Sequence, residues 1–321
     1  MAALAREHGP VVVYPGAEES IDALMANRDA LGPDVLLPYP GPQPLESLRD
    51  KQRLRITAEG AGLKTPTTLL EGAAGELARG DLPAGGVLKG IRAGRALETL
   101  AAENEQELRN ALSAFPPGEP VLVQELIRDA QLGSVELVVD RGGDLVARFQ
   151  HLGRRVWPLH GGHVVESVSV EPDEELVRMI ASMLASVGYW GLAQVQFLQR
   201  GSDYRVIDVN PRFYGPMPLA LACGVNLPSA WHAVTTGRPF PGGLGSYIVG
   251  LSYRRLDADV TAAWRGSPGL LFQRTPAPKV GSVWAFDDPV PSFLLTGAAL
   301  TGRVLARLPS RRGCASPSAP A

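Results

Sequence analysis

Two short alternating segments place the strongest constraint on how this chain folds. They are Gln194-Val195-Gln196-Phe197 and Val206-Ile207-Asp208-Val209-Asn210, and both alternate polar with apolar side chains. Side chains at alternate positions of a β-strand share one face of the sheet. We therefore predict two neighbouring strands. If their polar faces align, Gln196, Asp208 and Asn210 lie together in front of an apolar layer.

This polar face has the chemistry of a magnesium site. Gln196, Asp208 and Asn210 each carry a side-chain oxygen, and Mg²⁺ prefers oxygen ligands that include one or two carboxylates beside substrate phosphates. Arg212 follows two residues after Asn210 and supplies a cation suited to an anionic substrate. An ordinary amphipathic hairpin whose polar side meets water would show the same alternation, so the pattern alone leaves both interpretations open.

A longer stretch around the second segment resembles the metal-binding end of the ATP-grasp superfamily. The stretch is Asp208-Val209-Asn210-Pro211-Arg212, followed by Gly215 and by Gly224-Val225-Asn226. This chain has Asp208 where the family usually has Glu, and Gln196 where it has Glu or Gln. The resemblance is greatest to the branch of the carbamoyl-phosphate synthetase large chain. It implies an α/β (α+β ATP-grasp) fold with two subdomains that clasp ATP. It also implies that Gln196, Asp208 and Asn210 are the metal ligands and that Arg212 is the catalytic arginine.

Two lysines fit the same family pattern. Lys51 follows Asp50 in a helix predicted at residues 45–58, and Lys89 ends a strand predicted at residues 85–90. The resemblance implies that both lysines approach the nucleotide phosphates, whereas without it each would be taken as a solvated lysine. The loop at residues 91–96 has one glycine where the family loop is rich in glycine, so its role is open.

The adenine site is predicted where a strand beginning at Val121 changes from apolar to mixed residues. The resemblance implies a hinge between the two subdomains there, at which backbone groups and an apolar side chain hold the base. The cofactor-binding residues of this hinge are Gln124, Glu125, Leu126 and Ile127. The family's ribose-binding Glu is matched only approximately, by Glu136, which is left out of the predicted site.

The remaining elements are read from periodicity and turn residues. We predict a strand–helix–strand fragment at residues 11–37, a hairpin at 135–150, a polar loop at 199–204 and a strand at 246–253. The apolar spacing and the acidic first turn predict a helix at 173–187. We predict four parts of the chain. A partial Rossmann-like unit at 1–49 precedes the ATP-grasp domain at 50–239. A region of unknown role follows at 240–308, and a disordered tail at 309–321.

Composition excludes several other classes of protein. The 31 basic and 33 acidic residues are intermixed, which gives no nucleic-acid surface. Cys223 and Cys314 are too few for a disulfide framework or a zinc site. His160 and His163 flank two glycines without a third ligand, which favours a turn over a metal site. No segment has the apolar length of a membrane span or the pattern of a signal peptide, so we predict a cytoplasmic protein.

The resemblance implies an ATP- and Mg²⁺- (or Mn²⁺-) dependent ligase. A small-molecule carboxylate would be activated as an acyl phosphate and attacked by an amine or a similar nucleophile. The partners are therefore small molecules, and homo-oligomers are compatible with the sequence. Two alternatives stay open: a phosphotransferase that stops at the phosphorylated product, and a non-catalytic nucleotide-binding subunit, which the poor glycine loop favours.

Overall fold

The computed structural model describes residues 1–91, 99–157, 163–256 and 279–281, with the single positions 258, 260, 269, 290 and 294. Residues 1–254 and 275–280 form one compact unit, and residues 255–274 and 281–321 are assigned to a second. Most of the loop predicted at 91–96, the turn at His160 and the tail at 309–321 lie outside the described residues. The predicted domain boundaries at residues 49, 239 and 308 stay a prediction.

The N-terminal segment forms a two-stranded parallel sheet, in which Val11 lies opposite Val35 and Val12 opposite Leu36. Its elements are α1 (Ala2–His8), β1 (Val11–Val12), α2 (Glu18–Ala26), α3 (Arg28–Leu31) and β2 (Val35–Leu36). The predicted strand–helix–strand fragment is confirmed. Two strands are too few to identify a Rossmann-like sheet, so that part of the fold stays a prediction.

The helix predicted at residues 45–58 is wrong in one respect, because the chain forms two helices there. They are α4 (Pro42–Arg49) and α5 (Lys51–Gly60). Asp50 between them has an extended backbone, and its carboxylate accepts hydrogen bonds from the N–H groups of Gln52 and Arg53 at 3.0 and 3.1 Å. An aspartate in this capping position satisfies N–H groups that would otherwise lack a partner. Lys51 therefore lies at the start of a helix and not within one.

A four-stranded antiparallel sheet follows, with the strand order β3-β6-β4-β5. Leu88, Leu108, Leu112, Val121 and Val123 fill its core and are almost fully buried. The strands and helices of this part are β3 (Thr68–Ala73), α6 (Ala74–Leu77), β4 (Gly86–Gly90), β5 (Thr99–Ala102), α7 (Glu105–Ser113) and β6 (Pro120–Gln124). Strand β4 has the position that the sequence predicted for the strand ending near Lys89.

A seven-stranded sheet forms the second half of the unit. Its elements are β7 (Gln131–Val139), β8 (Leu145–Trp157), β9 (His163–Ser169), α8 (Glu174–Ser186), β10 (Gly191–Arg200), β11 (Asp203–Asn210), α9 (Met217–Ala222), α10 (Leu227–Thr236), β12 (Ser252–Arg254) and β13 (Lys279–Gly281). The strand order is β11-β10-β7-β8-β9-β12-β13. The predicted helix at 173–187 is confirmed as α8, and its stripe of Leu176, Ile180, Met183 and Leu184 is buried.

Two predictions in this half need correction. The polar loop predicted at 199–204 is shorter, because β10 runs to Arg200 and β11 begins at Asp203. Gly201 in the turn has a φ of 61°, a backbone conformation that glycine adopts without a Cβ clash and that permits so tight a connection. The strand predicted at 246–253 is limited to β12, and Ile248 and Val249 before it are exposed. Within the described ranges, no helix combines the length and apolar character that a membrane crossing requires.

Candidate nucleotide and metal site

The hairpin of β10 and β11 has the register that the alternating pattern required. Gln194 lies opposite Asn210 and Gln196 opposite Asp208, with a bulge directly after Gln196. Val195 and Val209 on the other face are buried, with 0% and 1% exposure. The predicted alignment of the polar faces is therefore confirmed, whereas the role of these side chains as metal ligands stays a prediction.

Two lysines from different elements converge on this hairpin. The Lys51 ammonium donates to Asp208 Oδ1, and the Lys51 backbone N–H donates to Ile91 O at 3.1 Å. Lys89 reaches across from β4, where its Nζ lies 3.4 Å from Ile207 O, and it is 7% exposed. Burial, followed by the charge of Lys51, lowers the pKa of Lys89 to about 8, against the opposing effect of Asp208. Lys51 thus pairs with Asp208 while Lys89 contacts the adjacent backbone, and two ammonium groups near one carboxylate favour an additional anion.

The depressed pKa of Lys89 predicts that nucleotide affinity depends on pH. Below about pH 8 Lys89 is charged and can attract a phosphate, whereas above its pKa the free protein must take up a proton to bind. We expect the affinity for ADP without metal to fall above about pH 8, by at most about tenfold per pH unit. Calorimetric titration of ADP in a chelator from about pH 7.5 to about pH 9.5 measures this dependence.

The matched variants separate Lys89 from other lysines. Lys89→Met is expected to weaken ADP binding and remove the fall above pH 8. Lys64→Met, which changes a lysine that is 66% exposed and paired with Asp203, is expected to retain it. A pH profile that is the same in Lys89→Met and the unchanged protein would contradict the assignment.

Arg212 is tied to both the hairpin and the N-terminal segment. Its Nη2 donates to Asn210 Oδ1 at 3.0 Å, and its Nε donates to Glu18 Oε1 at 2.6 Å. Glu18 is almost fully buried, and its second oxygen accepts from Arg49 Nε at 2.6 Å. The sequence did not predict the roles of Glu18 and Arg49, because no local motif marks them. The contact between Glu18 and Arg212 spans 194 residues.

The predicted hinge lies between the two sheets, since residues 125–130 connect β6 to β7. The backbone N–H of Glu125 donates to Thr67 O at 2.9 Å, and Glu125 Oε1 accepts from Thr67 N at 2.8 Å and from Arg205 Nη1 at 3.2 Å. Glu125 is therefore engaged in structural contacts. The roles of Leu126 and Ile127 in holding an adenine stay a prediction.

Gln124 offers one further polar group at the hinge. It ends β6 and is 7% exposed, and its Oε1 is buried without a hydrogen-bond partner in the described part of the chain. A buried polar atom without a partner is costly and uncommon in folded proteins. The oxygen of Gln124 is therefore suited to accept a hydrogen bond from a bound base, which agrees with its place in the predicted site.

Glu136 does not have the surroundings of a ribose ligand. It is 0% exposed, and it accepts from Gln194 Nε2 at 3.1 Å and lies 3.3 Å from His151 Nδ1. Ser134 Oγ lies 3.2 Å from His151 Nε2 and completes this buried polar cluster. The pairing of β7 with β10 places Gln194 opposite Glu136, a contact that no local sequence signal marks.

The predicted ligand set fits a magnesium ion that arrives with phosphates. Asp208 supplies the single carboxylate and has a 26% exposed side chain, while Gln196 and Asn210 supply carboxamide oxygens. Among the described residues, no three His, Cys, Asp or Glu side chains come together as a metal site. Because one charge binds Mg²⁺ weakly, the remaining ligands would have to be phosphate oxygens and water.

Two sheets are joined by the connection at residues 125–130, and Lys89 from the smaller sheet and Lys51 from α5 both contact the polar hairpin of the larger sheet, an arrangement typical of an ATP-grasp fold. A family model described as ATP-grasp in the biosynthetic pathway with Ter operon matches residues 119–243. The predicted resemblance to ATP-grasp proteins and the predicted fold are confirmed by this match and by the solved structures described below.

Curated relatives with detectable sequence similarity are much longer proteins. The chain is 29% identical over 163 residues to acetyl-CoA carboxylase of Dictyostelium discoideum, which covers 48% of this chain and 7% of that protein. It is 28% identical over 201 residues to the carbamoyl phosphate synthase large chain of Myxococcus xanthus, covering 57% of this chain and 18% of that protein. The chain thus spans less than about a fifth of these relatives, so their activities are not carried over to it directly.

Solved structures show the same fold. The biotin carboxylase domain of 2-oxoglutarate carboxylase from Hydrogenobacter thermophilus, in complex with MgADP, ADP and bicarbonate, superposes with a TM-score of 0.60 at 16% identity, covering 75% of this chain and 57% of that one. Biotin carboxylase from Campylobacter jejuni in a β,γ-ATP complex gives 0.59 at 18% identity, covering 78% and 59%.

Proposed function

We propose that this protein is an ATP- and Mg²⁺-dependent ligase that joins a small-molecule carboxylate to an amine or a similar nucleophile. The observation that carries the proposal is the contact of Lys51 with Asp208 and of Lys89 with the neighbouring Ile207, at the hairpin predicted to hold the metal. The nucleotide and bicarbonate in the related biotin carboxylase structures support it. A cytoplasmic location, where ATP is available, belongs to the same proposal.

The charged and the carboxamide residues of the site would have different roles. Lys51 and Lys89 attract the phosphates, and Arg212 stabilises negative charge on the acyl group as it is attacked. Gln196, Asp208 and Asn210 would hold Mg²⁺, which when bound neutralises phosphate charge. Positioning and charge neutralisation are the main needs of phosphoryl transfer, so a site without a covalent nucleophile is sufficient.

The bonds exchanged in the proposed reaction balance without any other reactant. A carboxylate oxygen of the substrate attacks the γ-phosphorus of ATP, and ADP leaves with the electrons of the broken P–O bond. The amine nitrogen then attacks the acyl carbon, inorganic phosphate leaves, and the amine proton passes to solvent. This sequence converts the poor leaving group of a carboxylate into phosphate before the carbon–nitrogen bond forms.

The Lys51–Asp208 ion pair adds a condition for metal binding. Lys51 neutralises Asp208 in the structure, so a metal ion must compete with an ammonium group for that carboxylate. Nucleotide phosphates that attract Lys51 would release Asp208 for the metal. We therefore expect Mg²⁺ to bind measurably only in the presence of nucleotide, consistent with a ligand set of one carboxylate.

The proposal is tested by measuring ADP and phosphate release from ATP with Mg²⁺ across a panel of carboxylic acids and amines. Release that requires one acid and one amine together establishes the ligase. An ¹⁸O-labelled carboxylate of the active pair should transfer one ¹⁸O atom to inorganic phosphate. ADP release without phosphate release would instead indicate a phosphotransferase, and nucleotide binding without turnover a non-catalytic subunit.

A further inference from the structure

A chain of hydrogen bonds connects two buried carboxylates through the predicted metal ligand Asn210. Glu136 Oε1 accepts from Gln194 Nε2 at 3.1 Å, and Gln194 Oε1 accepts from Asn210 Nδ2 at 3.3 Å. Asn210 Oδ1 accepts from Arg212 Nη2 at 3.0 Å, and Arg212 Nε donates to Glu18 Oε1 at 2.6 Å. The chain thus runs from the interior of the large sheet to helix α2.

The two ends of this chain require the same orientation of its two carboxamides. A guanidinium can only donate, so Arg212 requires the oxygen of Asn210 and turns the Asn210 amide group toward Gln194. Gln194 must then present its oxygen to Asn210 and its amide group to Glu136. Glu136 Oε1 accepts from the Gln194 amide group at 3.1 Å, so the contact with Glu136 is satisfied by that same orientation of Gln194.

Burial makes the opposite orientations costly. Glu136 is 0% exposed and Gln194 is 4% exposed, so neither can exchange its partner for water. Turning the Gln194 carboxamide over would place its oxygen against the Glu136 carboxylate and its amide group against that of Asn210. Buried polar groups that lack a suitable partner are strongly disfavoured, so the orientation seen here is held from both sides.

We propose that Gln194 is a positioning residue for Asn210, with Glu136 as its anchor. Together they hold the Asn210 amide group on the interior side, so that its oxygen lies on the side of Arg212 and is available to a metal ion. Neither Gln194 nor Glu136 is placed by the proposed function in contact with nucleotide or metal. The inference rests on that proposed function and adds two residues that lie outside the predicted ligand set.

The test is the effect of Mg²⁺ on ADP affinity, measured by calorimetry with Mg²⁺ and with a chelator. Gln194→Glu keeps an acceptor for Asn210 but places a second carboxylate beside Glu136. We expect the gain in ADP affinity due to Mg²⁺ to fall by about tenfold or more, comparable to the loss of an oriented ligand. ADP affinity in the chelator should stay within about twofold, which general damage to the fold would not allow.

A charge exchange provides the control. In the double variant Glu136→Gln/Gln194→Glu, the amide group at position 136 can donate to the carboxylate at 194, which still accepts from Asn210. This variant restores the donor–acceptor order of the hydrogen bonds and has the same net charge as the unchanged protein. We therefore expect most of the Mg²⁺ effect on ADP affinity to return. Thermal unfolding of each variant checks its folding. If Gln194→Glu does not fold, Gln194→Met is expected to show the same loss, because it removes the hydrogen bonds to Glu136 and Asn210, and the one to Ser134, without adding a charge.

The outcomes are distinguishable. A Mg²⁺ effect of normal size in Gln194→Glu and Gln194→Met would overturn the positioning role while leaving the proposed metal site intact. Failure of the folded double variant to recover would overturn the role of Glu136 as the anchor. If the unchanged protein binds ADP with no Mg²⁺ effect, the proposed metal site itself is wrong, and the inference is overturned with it.

Discussion

Replacing Asp208 with asparagine is expected to lower Mg²⁺-dependent ATP turnover by about 10²–10³-fold, the usual loss when one electrostatic group of a reaction site is removed. Asp208 is the one ionised member of the predicted ligand set, so its loss removes the charge that attracts the metal. The same substitution frees Lys51 from its ion pair. ADP affinity without metal should therefore be unchanged or higher, while the Mg²⁺-dependent gain disappears.

A loss of turnover combined with unchanged or higher ADP affinity without metal distinguishes a metal ligand from a residue needed for folding. Turnover is measured with the acid and amine identified in the panel, and ADP affinity by calorimetry with and without Mg²⁺. Asp203→Asn is the matched control, because Asp203 lies on the same strand and binds Lys64 and Arg205 at 2.7 and 2.9 Å outside the proposed site. Its turnover should stay within about twofold of normal. Equal losses in both variants would refute the assignment of Asp208.

Replacing Glu18 with alanine is expected to lower the free energy of unfolding by about 3 kcal/mol, the lower end of the range for a broken buried ion pair. The Glu18 side chain is 7% exposed and is shared by Arg49 and Arg212, at 2.6 Å from each. Its removal leaves two guanidinium groups facing each other without the carboxylate between them. Because Arg212 is 26% exposed, water relieves part of this cost.

Urea denaturation measures the loss, and Asp22→Ala is the matched control. Asp22 binds the same Arg49 at 2.6 Å but is 64% exposed, so its ion pair is expected to contribute less than about 1 kcal/mol. ATP turnover of Glu18→Ala should also fall, because Arg212 loses the contact that orients it. Similar small losses of stability in the two variants would show that the Glu18 cluster is not the anchor of Arg212.

Local patterns were sufficient for the elements whose signal repeats within a few residues. The alternation at 194–197 and 206–210 predicted the hairpin of β10 and β11, and the apolar stripe at 173–187 predicted α8. The apolar periodicity was insufficient to predict a helix boundary that is set by a single capping side chain. Asp50 ends one helix and caps the next, although the residues on both sides favour a continuous helix.

The sequence by itself determined the two-sided hairpin, helix α8 and the resemblance to ATP-grasp proteins. Only the tertiary structure decided which side chains meet: Lys51 pairs with Asp208 across 157 positions, Arg212 with Glu18 across 194, and Gln194 with Glu136 across 58. The physical reason is that periodicity reports which face of an element is buried, whereas a contact depends on the packing of distant elements. Strand register and helix placement therefore set the partners of each charged group.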